Sequence, residues 1–419
     1  LSMPGTLGRI CPRLCEQSCR RGELDRDGLA IAALHRYAAD RNAASPEPVV
    51  PRAGAPTGKS VGIVGAGPAG LTAAFYLLRR GHACTLYDAN PHAGGMLRYG
   101  IPAYRLPRAA LDDEIATVEG LGATFRMGRQ WGRDFALADL RRDHDAVFVA
   151  IGAQRSSRMR CEGEDFAVSG LAYLHRVAEG GSPDLGRTVV VVGGGNTAMD
   201  AARTVARTGA DVTVLYRRTR REMPCLMDEV EGAEEEGIRF EFLAAPVSIE
   251  RAAGDGDGVR LRCQRMELGE PDLSGRRRPV PVPGSEYEIA CDAVVAAVGQ
   301  SVERALAEAD GLEVTGWGIA ADRATLATNL PGVFAGGDAV LGADVAVRAV
   351  AAGRVAATSI DQHLSGLAVT GPRDLVAIGM TPIDDGERAA MFRQIESSAR
   401  VATPTIPLER RTTSYDEVD

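Results

Sequence analysis

The chain has almost no lysine. Lys59 is the single one, and arginine supplies the rest of its 48 basic residues. With so much alanine and glycine, that imbalance reflects codon usage and carries no functional weight. Long apolar runs are absent, and none approaches the ~20 residues that would span a bilayer. An excess of positive charge is also missing: the net charge is −8, which makes nucleic acid and anionic membrane poor partners. No basic stretch followed by an apolar one opens the sequence, so a cytoplasmic location is expected. No CxxxxC pair stands beside the first glycine motif described below, which argues against a dithiol mechanism. Nor is there a nucleophile or metal-hydrolase motif, and the six histidines lack ligand spacing.

What is present is a pair of glycine-rich turns. The 419 residues suffice for two or three domains with sizeable cores. The first turn is Gly65-Ala66-Gly67-Pro68-Ala69-Gly70, after the β-branched run Ser60-Val-Gly-Ile-Val. Its first glycine permits a sharp strand-to-helix turn, its second lets the backbone approach a pyrophosphate, and its third lets helix and strand pack closely. The phosphates then meet the N–H groups and the dipole of the helix N-terminus. The next strand ends on Asp88, where an acid about 20 residues past the glycines binds a ribose hydroxyl. The second turn is Gly193-Gly-Gly195-Asn196-Thr197-Ala198, after Thr188-Val-Val-Val-Val. Its following strand, Asp211–Tyr216, ends on Arg217-Arg218. Arginine pairs with a ribose 2′-phosphate, which an acid repels, so the pattern favours NADP(H) over NAD(H). Solvated strand-end charges are the competing reading. A closing segment, Thr328–Asp338, contains Gly337 and Asp338. In this order the three pieces point to a flavoprotein with bound FAD and a site for NAD(P)H.

The chain divides accordingly. Residues 1–45 form a cysteine-bearing helical segment in which Ile31, Leu34, His35 and Ala38 share one helix face. Residues 46–59 are a proline-rich linker. Residues 60–157 begin the FAD domain, 158–299 form the NAD(P) domain, 300–366 return to the FAD domain, and 367–419 are an extended arm. Two buried strands, Asp145–Gly152 and Asp292–Gly299, end on matching glycines, which makes Gly299 the second domain's counterpart of Gly152. Residues 251–258 are expected to form a turn between strands.

Cys11, Cys15 and Cys19 recur every fourth residue, a spacing that aligns side chains on a helical turn. Crowded cysteines in a reducing compartment argue for metal ligation over disulfides. A [4Fe–4S] cluster normally takes four thiolates. The fourth ligand would come from upstream residues, another side chain or a partner subunit. A decayed cluster site is the competing reading. The other five cysteines read as structural thiols.

Longer stretches carry a resemblance. They are Gly8-Arg-Ile-Cys-Pro, Cys15-Glu, Gly65 to Gly70, Gly94-Gly-Met-Leu-Arg-Tyr-Gly-Ile-Pro-Ala-Tyr-Arg-Leu-Pro, Gly193 to Asp200, Tyr216 to Pro224, and Val333 to Asp338. Together they resemble the glutamate synthase small-subunit family of FAD-dependent NAD(P)H oxidoreductases. The resemblance implies an α/β fold of two Rossmann-like domains, the NAD(P) domain inserted in the FAD domain. It places Gly95, Met96, Leu97 and Gly152 near the flavin and Asp338 on its ribityl chain. It also implies an N-terminal iron–sulfur segment, although Leu7 stands where the family has a further cysteine. The implied role is a diaphorase-type subunit that passes electrons between NAD(P)(H) and the iron–sulfur clusters of a larger oxidoreductase. Partners of that kind are the iron–sulfur and catalytic subunits of a glutamate synthase, formate dehydrogenase, hydrogenase or tungsten aldehyde oxidoreductase. A stand-alone flavin reductase and a non-catalytic assembly module are the alternatives. The intact glycines, Asp88 and Asp338 speak against the last.

Overall fold

The computed structural model describes residues 1–19, 21–22, 28–251, 258–272, 275–372, 384–392, 400–401 and 403–418. Two five-stranded parallel sheets dominate it. In the first, the order is β15 (Val333–Ala335), β4 (Ala146–Val149), β1 (Ser60–Val64), β2 (Ala83–Asp88) and β3 (Thr124–Met127). Parallel sheets carry helices on both faces, so their strands read as continuous apolar runs. The run Ala-Val-Phe-Val of β4 is buried at every position. In the second sheet the order is β6 (Val168–Ser169), β13 (Ala293–Ala296), β7 (Thr188–Val192), β8 (Asp211–Tyr216) and β9 (Arg239–Phe242). The second sheet lies in sequence between β4 and β15 of the first, so the NAD(P) domain is an insertion in the FAD domain. The chain crosses between them on a ribbon of only two residues per strand, β5 (Arg155–Ser156) and β14 (Gln300–Ser301). An antiparallel sheet of β10 (Ala244–Arg251), β11 (Val259–Pro271) and β12 (Arg277–Cys291) extends the inserted domain. The turn expected at 251–258 falls largely on residues 252–257, outside those described.

The N-terminal segment is built into the FAD domain. Helix α1 (Pro4–Ile10) buries Met3, Leu7 and Ile10 in that domain's core. Each such burial contributes about 1.5–3 kcal/mol. The Glu114 carboxylate, from the helix Arg108–Gly120, accepts the N–H groups of Gly5 at 2.6 Å and Thr6 at 3.2 Å. It thereby caps α1, which has no cap of its own. Helices α2 (Leu14–Gln17) and α3 (Ile31–Ala43) follow. On α3 the face predicted from Ile31, Leu34, His35 and Ala38 turns outward: Leu34 is 59% exposed. Ala32 is buried instead, and Gly8 of α1 lies so close to Arg36 that a Cβ would sit 2.5 Å from its backbone nitrogen. Small residues set this contact, and an apolar-face count overlooks them.

The helices that matter for the site are α4 (Pro68–Leu78), α5 (Met96–Tyr99), α6 (Arg108–Gly120), α7 (Gly170–Ala178), α8 (Asn196–Ala206), α9 (Met227–Glu235), α10 (Asp338–Leu341) and α11 (Ala346–Leu364). The C-terminal arm is not simply extended. It contains a short helix, α12 (Leu408–Arg411), and lies along both domains. Val418 donates its N–H to the Tyr104 carbonyl at 3.0 Å, and Arg411 pairs with Glu235 at 2.6 Å. Among the described residues no helix is long and apolar enough to cross a membrane.

Candidate functional site

The first glycine turn forms one wall of a cleft of about 320 Å³. Gly65 has φ +107, and a Cβ there would fall 2.3 Å from the Ala150 carbonyl oxygen. Only glycine fits that turn. Gly67 is the N-cap of α4 and no side chain caps the helix, which leaves its first turn for a ligand's phosphates. Gly65, Gly67, Pro68, Ala69, Asp88, Gly95, Met96, Gly152 and Asp338 all line the cleft. Four other predicted residues support it from behind. Ala66 is fully buried and donates its N–H to Asp88 Oδ2 at 2.8 Å. Gly70 abuts the Gly65 carbonyl, Gly337 is the N-cap of α10, and Leu97 is buried in the core and does not face the cleft.

Two carboxylates define the polarity of this cleft. Asp88 also accepts the Asn90 N–H at 2.8 Å, so backbone donors hold it in place. Asp338 is different. Burial pushes its carboxyl up to about 7, and the nearby Asp344 carboxylate adds to that, while one backbone N–H bond opposes it. Desolvation dominates because no cation faces the group. A half-buried acceptor with one backbone donor is what a polyhydroxyl chain would satisfy, so the residues present fit FAD. Sequence reasoning missed other lining residues, among them Asn90, Arg129, Gln130 and Trp131. No local motif marks them.

The second glycine turn repeats the geometry of the first. Gly193 has φ +147, and a Cβ would sit 2.2 Å from the Ala297 carbonyl oxygen. Gly195 is the N-cap of α8 without a side-chain cap, and nothing lies within 4 Å of its Cβ position. Ala198 is fully buried at the start of that helix. Asn196 Oδ1 accepts the Leu226 N–H at 3.1 Å, and Thr197 Oγ1 accepts from Gln300 at 3.3 Å. Both side chains therefore brace the turn. Gly299 closes the domain exit, its carbonyl accepting the Ser157 N–H at 2.9 Å. The two predicted arginines part company. Arg217 is exposed. Arg218 is 5% exposed, donates to the Arg277 carbonyl at 2.7 Å, and pairs with Asp272 at 2.6 Å. Its guanidinium thus ties β8 to the antiparallel extension.

The predicted helical alignment of Cys11, Cys15 and Cys19 does not form. Helix α1 stops at Cys11, because Pro12 follows and Arg13 takes a left-handed φ of 57°. Cys15 then lies exposed on a separate helix. Among the described residues, no three histidine, cysteine or acidic side chains converge on a metal-holding point. Leu7, in place of a fourth thiol, is core. These residues, as arranged, do not present a cluster's ligand set. All eight cysteines are free thiols, and Cys84, on the strand ending at Asp88, is pushed up to about 12 by burial. None offers a redox dithiol beside the first cleft.

Fold and site together define a two-nucleotide oxidoreductase, with FAD in the first domain and a nicotinamide dinucleotide on the second. The chain belongs to the pyridine nucleotide-disulphide oxidoreductase family, whose pattern matches residues 59–353, and within it to the group of glutamate synthase small chains. It is 46% identical over 392 residues to an NADP(+)-dependent formate dehydrogenase subunit beta of Moorella thermoacetica, matching 87% of this chain and 55% of that one. It is 40% identical over 399 residues to an NADPH-Fe(3+) oxidoreductase subunit beta of Geobacter sulfurreducens, matching 87% of this chain and 58% of that one. The glutamate synthase [NADPH] small chain of Escherichia coli is 38% identical over 380 residues, 86% of this chain and 80% of that one. The chain thus spans just over half the length of the first two relatives. Among solved structures, Mycobacterium tuberculosis FprA in complex with NADPH superposes with a TM-score of 0.63 at 20% identity, over 74% of this chain and 85% of that one. That likeness concerns the fold.

Proposed function

We propose that this chain is the FAD-bearing, NADPH-linked electron-transfer part of a multi-subunit oxidoreductase that works in the cytoplasm. The observation that carries the reading is the donor-poor Asp338 carboxylate, which faces a cleft closed by Gly65, Gly67 and Gly95. Gly67 and the first turn of α4 would hold the pyrophosphate, Asp88 the adenosine ribose, and Asp338 the ribityl chain. Gly193, Gly195 and the first turn of α8 would hold the second dinucleotide, with Arg217 beside its 2′-phosphate. When bound, the nicotinamide supplies a hydride and the flavin accepts it, releasing electrons singly or in pairs. The protein contributes binding, orientation and exclusion of water. No acid–base dyad is required.

The electron acceptor or donor is an iron–sulfur subunit of a larger enzyme. The resemblance to a formate dehydrogenase subunit and a metal reductase subunit, each longer than this chain, favours that reading over a self-contained reductase. Two measurements test it. The purified chain should be yellow and pass electrons from NADPH to a one-electron dye but not to small organic substrates. Affinity capture from its own cells should bring down an iron–sulfur subunit. A colourless chain, or efficient turnover of an organic substrate with no co-purifying subunit, overturns the proposal.

A further inference from the structure

The stretch Gly100–Pro107 belongs to the motifs that carry the resemblance, yet the cofactor sites leave Tyr104 and Arg105 without a role. The structure shows what they touch. Arg105 leaves the FAD domain, 8% exposed along its side chain, and spans both oxygens of Asp200 at 2.7 and 2.8 Å. Its Nε also meets Glu229 at 2.7 Å. Both carboxylates belong to the NAD(P) domain, Asp200 on α8 and Glu229 on α9. The network continues inward. Arg203 pairs with Glu229 and, at 2.6 Å, with Glu236, while Arg207 reaches Glu236 at 2.9 Å. Three arginines thus pair with three carboxylates in a largely buried site, the condition under which buried charges are tolerated. Tyr104 is 1% exposed and lies under the Arg203 and Arg207 guanidinium groups, 4.9 and 3.8 Å from its ring centre. The C-terminal arm seals the assembly: Arg207 donates to the Ser414 carbonyl at 3.1 Å, and Tyr415 lies against Tyr104.

The position of this network along the chain gives it meaning. Asp200 lies one turn beyond Asn196, at the start of the helix whose N-terminus serves the second dinucleotide. Arg105 follows α5, whose first residues, Gly95 and Met96, line the flavin cleft. One guanidinium, with Nη1 on both oxygens of Asp200 and Nε on Glu229, therefore links the anchoring element of one nucleotide to the wall of the other. The covalent connection between the domains is only the β5–β14 ribbon, two residues per strand. Such a ribbon holds the ends together without fixing a rotation.

We propose that Arg105 is a positioning residue for hydride exchange: its fork on Asp200 and Glu229 sets the angle at which the NAD(P) domain faces the FAD domain. The planar guanidinium suits this task because its Nη1 and Nε, fixed in one plane, hold Asp200 and Glu229 in set directions as well as at set distances. A misplacement of about 1 Å at the reacting groups costs about 10²-fold in rate. The inference rests on the functional reading above, and the experiment separates the two.

The variants are Arg105→Gln, Arg105→Lys and, from the other side, Asp200→Asn, each as the full chain with FAD content checked. NADPH is mixed rapidly with each, and the bleaching of the flavin is followed against NADPH concentration. The expected result is a split. The limiting rate falls at least tenfold in Arg105→Gln and Asp200→Asn and less in Arg105→Lys. The half-saturating NADPH concentration changes less than threefold, since Arg105 and Asp200 lie outside the Gly193–Gly195 turn proposed to hold the nucleotide. Small-angle scattering supplies a readout free of activity: the maximum dimension of Arg105→Gln should exceed that of the parent. If Arg105→Gln is not recovered folded, Asp200→Asn decides. An unchanged limiting rate with an unchanged scattering curve overturns the proposal and reduces the network to stability. If NADPH fails to bleach the parent's flavin, the functional reading falls, and the scattering comparison alone then settles whether Arg105 fixes the domain angle.

Discussion

The chain builds the same strand–turn–helix twice, and the two copies end differently. In the first, β2 ends on Asp88, which folds inward and is pinned by the N–H groups of Ala66 and Asn90. The cleft beside it is closed from the far end of the sequence by Asp338 and Ala349. In the second, β8 ends on Arg217 and Arg218, one exposed and the other spent on Asp272. Leu226 and Gln300 brace the second turn at Asn196 and Thr197, and among the described residues a Cβ on Gly195 would meet nothing within 4 Å. The same backbone motif thus stands beside a cleft lined by Asp338 and Ala349 in one copy and is braced by Leu226 and Gln300 in the other.

The sharpest way to break this comparison is to fill the first turn. Gly67 has φ −81, and a Cβ built there meets only Gly95 Cα, at 3.8 Å. The folded protein itself therefore accommodates a side chain at this place. Gly67→Val should fold with the parent's circular dichroism and thermal midpoint yet lose its FAD almost completely on gel filtration. Stoichiometric FAD with an unchanged spectrum would show that the cleft holds no pyrophosphate. The matching change Gly195→Val should leave FAD in place and abolish NADPH binding, measured by calorimetry.

The two arginines sharpen the second half. Arg218→Ala removes a buried guanidinium together with its bonds to Asp272 and the Arg277 carbonyl, a loss that costs up to about 3 kcal/mol. It should lower the denaturation midpoint while the ratio of NADPH to NADH affinity stays the same. Arg217→Ala should do the reverse. A charge-assisted hydrogen bond is worth about 1.5–3 kcal/mol, so NADPH binding should weaken by at least about tenfold and NADH binding hardly at all. Equal weakening of both cofactors would make the exposed arginine a spectator and the enzyme NAD-linked.

Much of this was legible in the sequence, and the omissions share a cause. The strands and glycine turns are local patterns, and β1, β2, β7 and β8 lie where the apolar runs place them. The role of Asp338 on a ribityl chain is an expectation from resemblance, and the structure shows only that its side chain lines the cleft. Arg218 looked like a ligand because its partner, Asp272, is 54 residues away and carries no local signal. The outward turn of Leu34 was hidden for a related reason: the buried face of α3 is made of Ala32 and the contact with Gly8, which an apolar count scores low. The cysteine spacing suggested one helix, but Pro12 and the left-handed Arg13 divide it in two. The arm beyond Gly371 has no periodicity, yet Arg9 and Arg36 hold Glu417 at 2.6 and 2.9 Å, a contact that only the folded chain creates.

The smallest effect expected concerns protons. Burial holds the Asp338 carboxyl near 7 when the cleft lacks a donor. A hydroxyl that donates to the ionised form would lower that value again, because hydrogen bonding to a carboxylate favours the charged state. FAD binding would then expel a proton wherever the apoprotein is still protonated. The sign follows from linkage: a ligand that lowers a group's pKa binds more tightly as pH rises through the range between the two values. FAD affinity of the apoprotein should therefore increase a few-fold from about pH 5.5 to about 8, the upper bound being tenfold per pH unit for one proton. In Asp338→Asn the affinity should be lower throughout and the slope should vanish, since the amide does not titrate. The apoprotein of the same variant should gain thermal stability above neutral pH, because the cost of ionising a buried carboxyl has been removed. A parent whose FAD affinity is flat with pH would mean that Asp338 meets the flavin already ionised, and the closing segment would then act by shape alone.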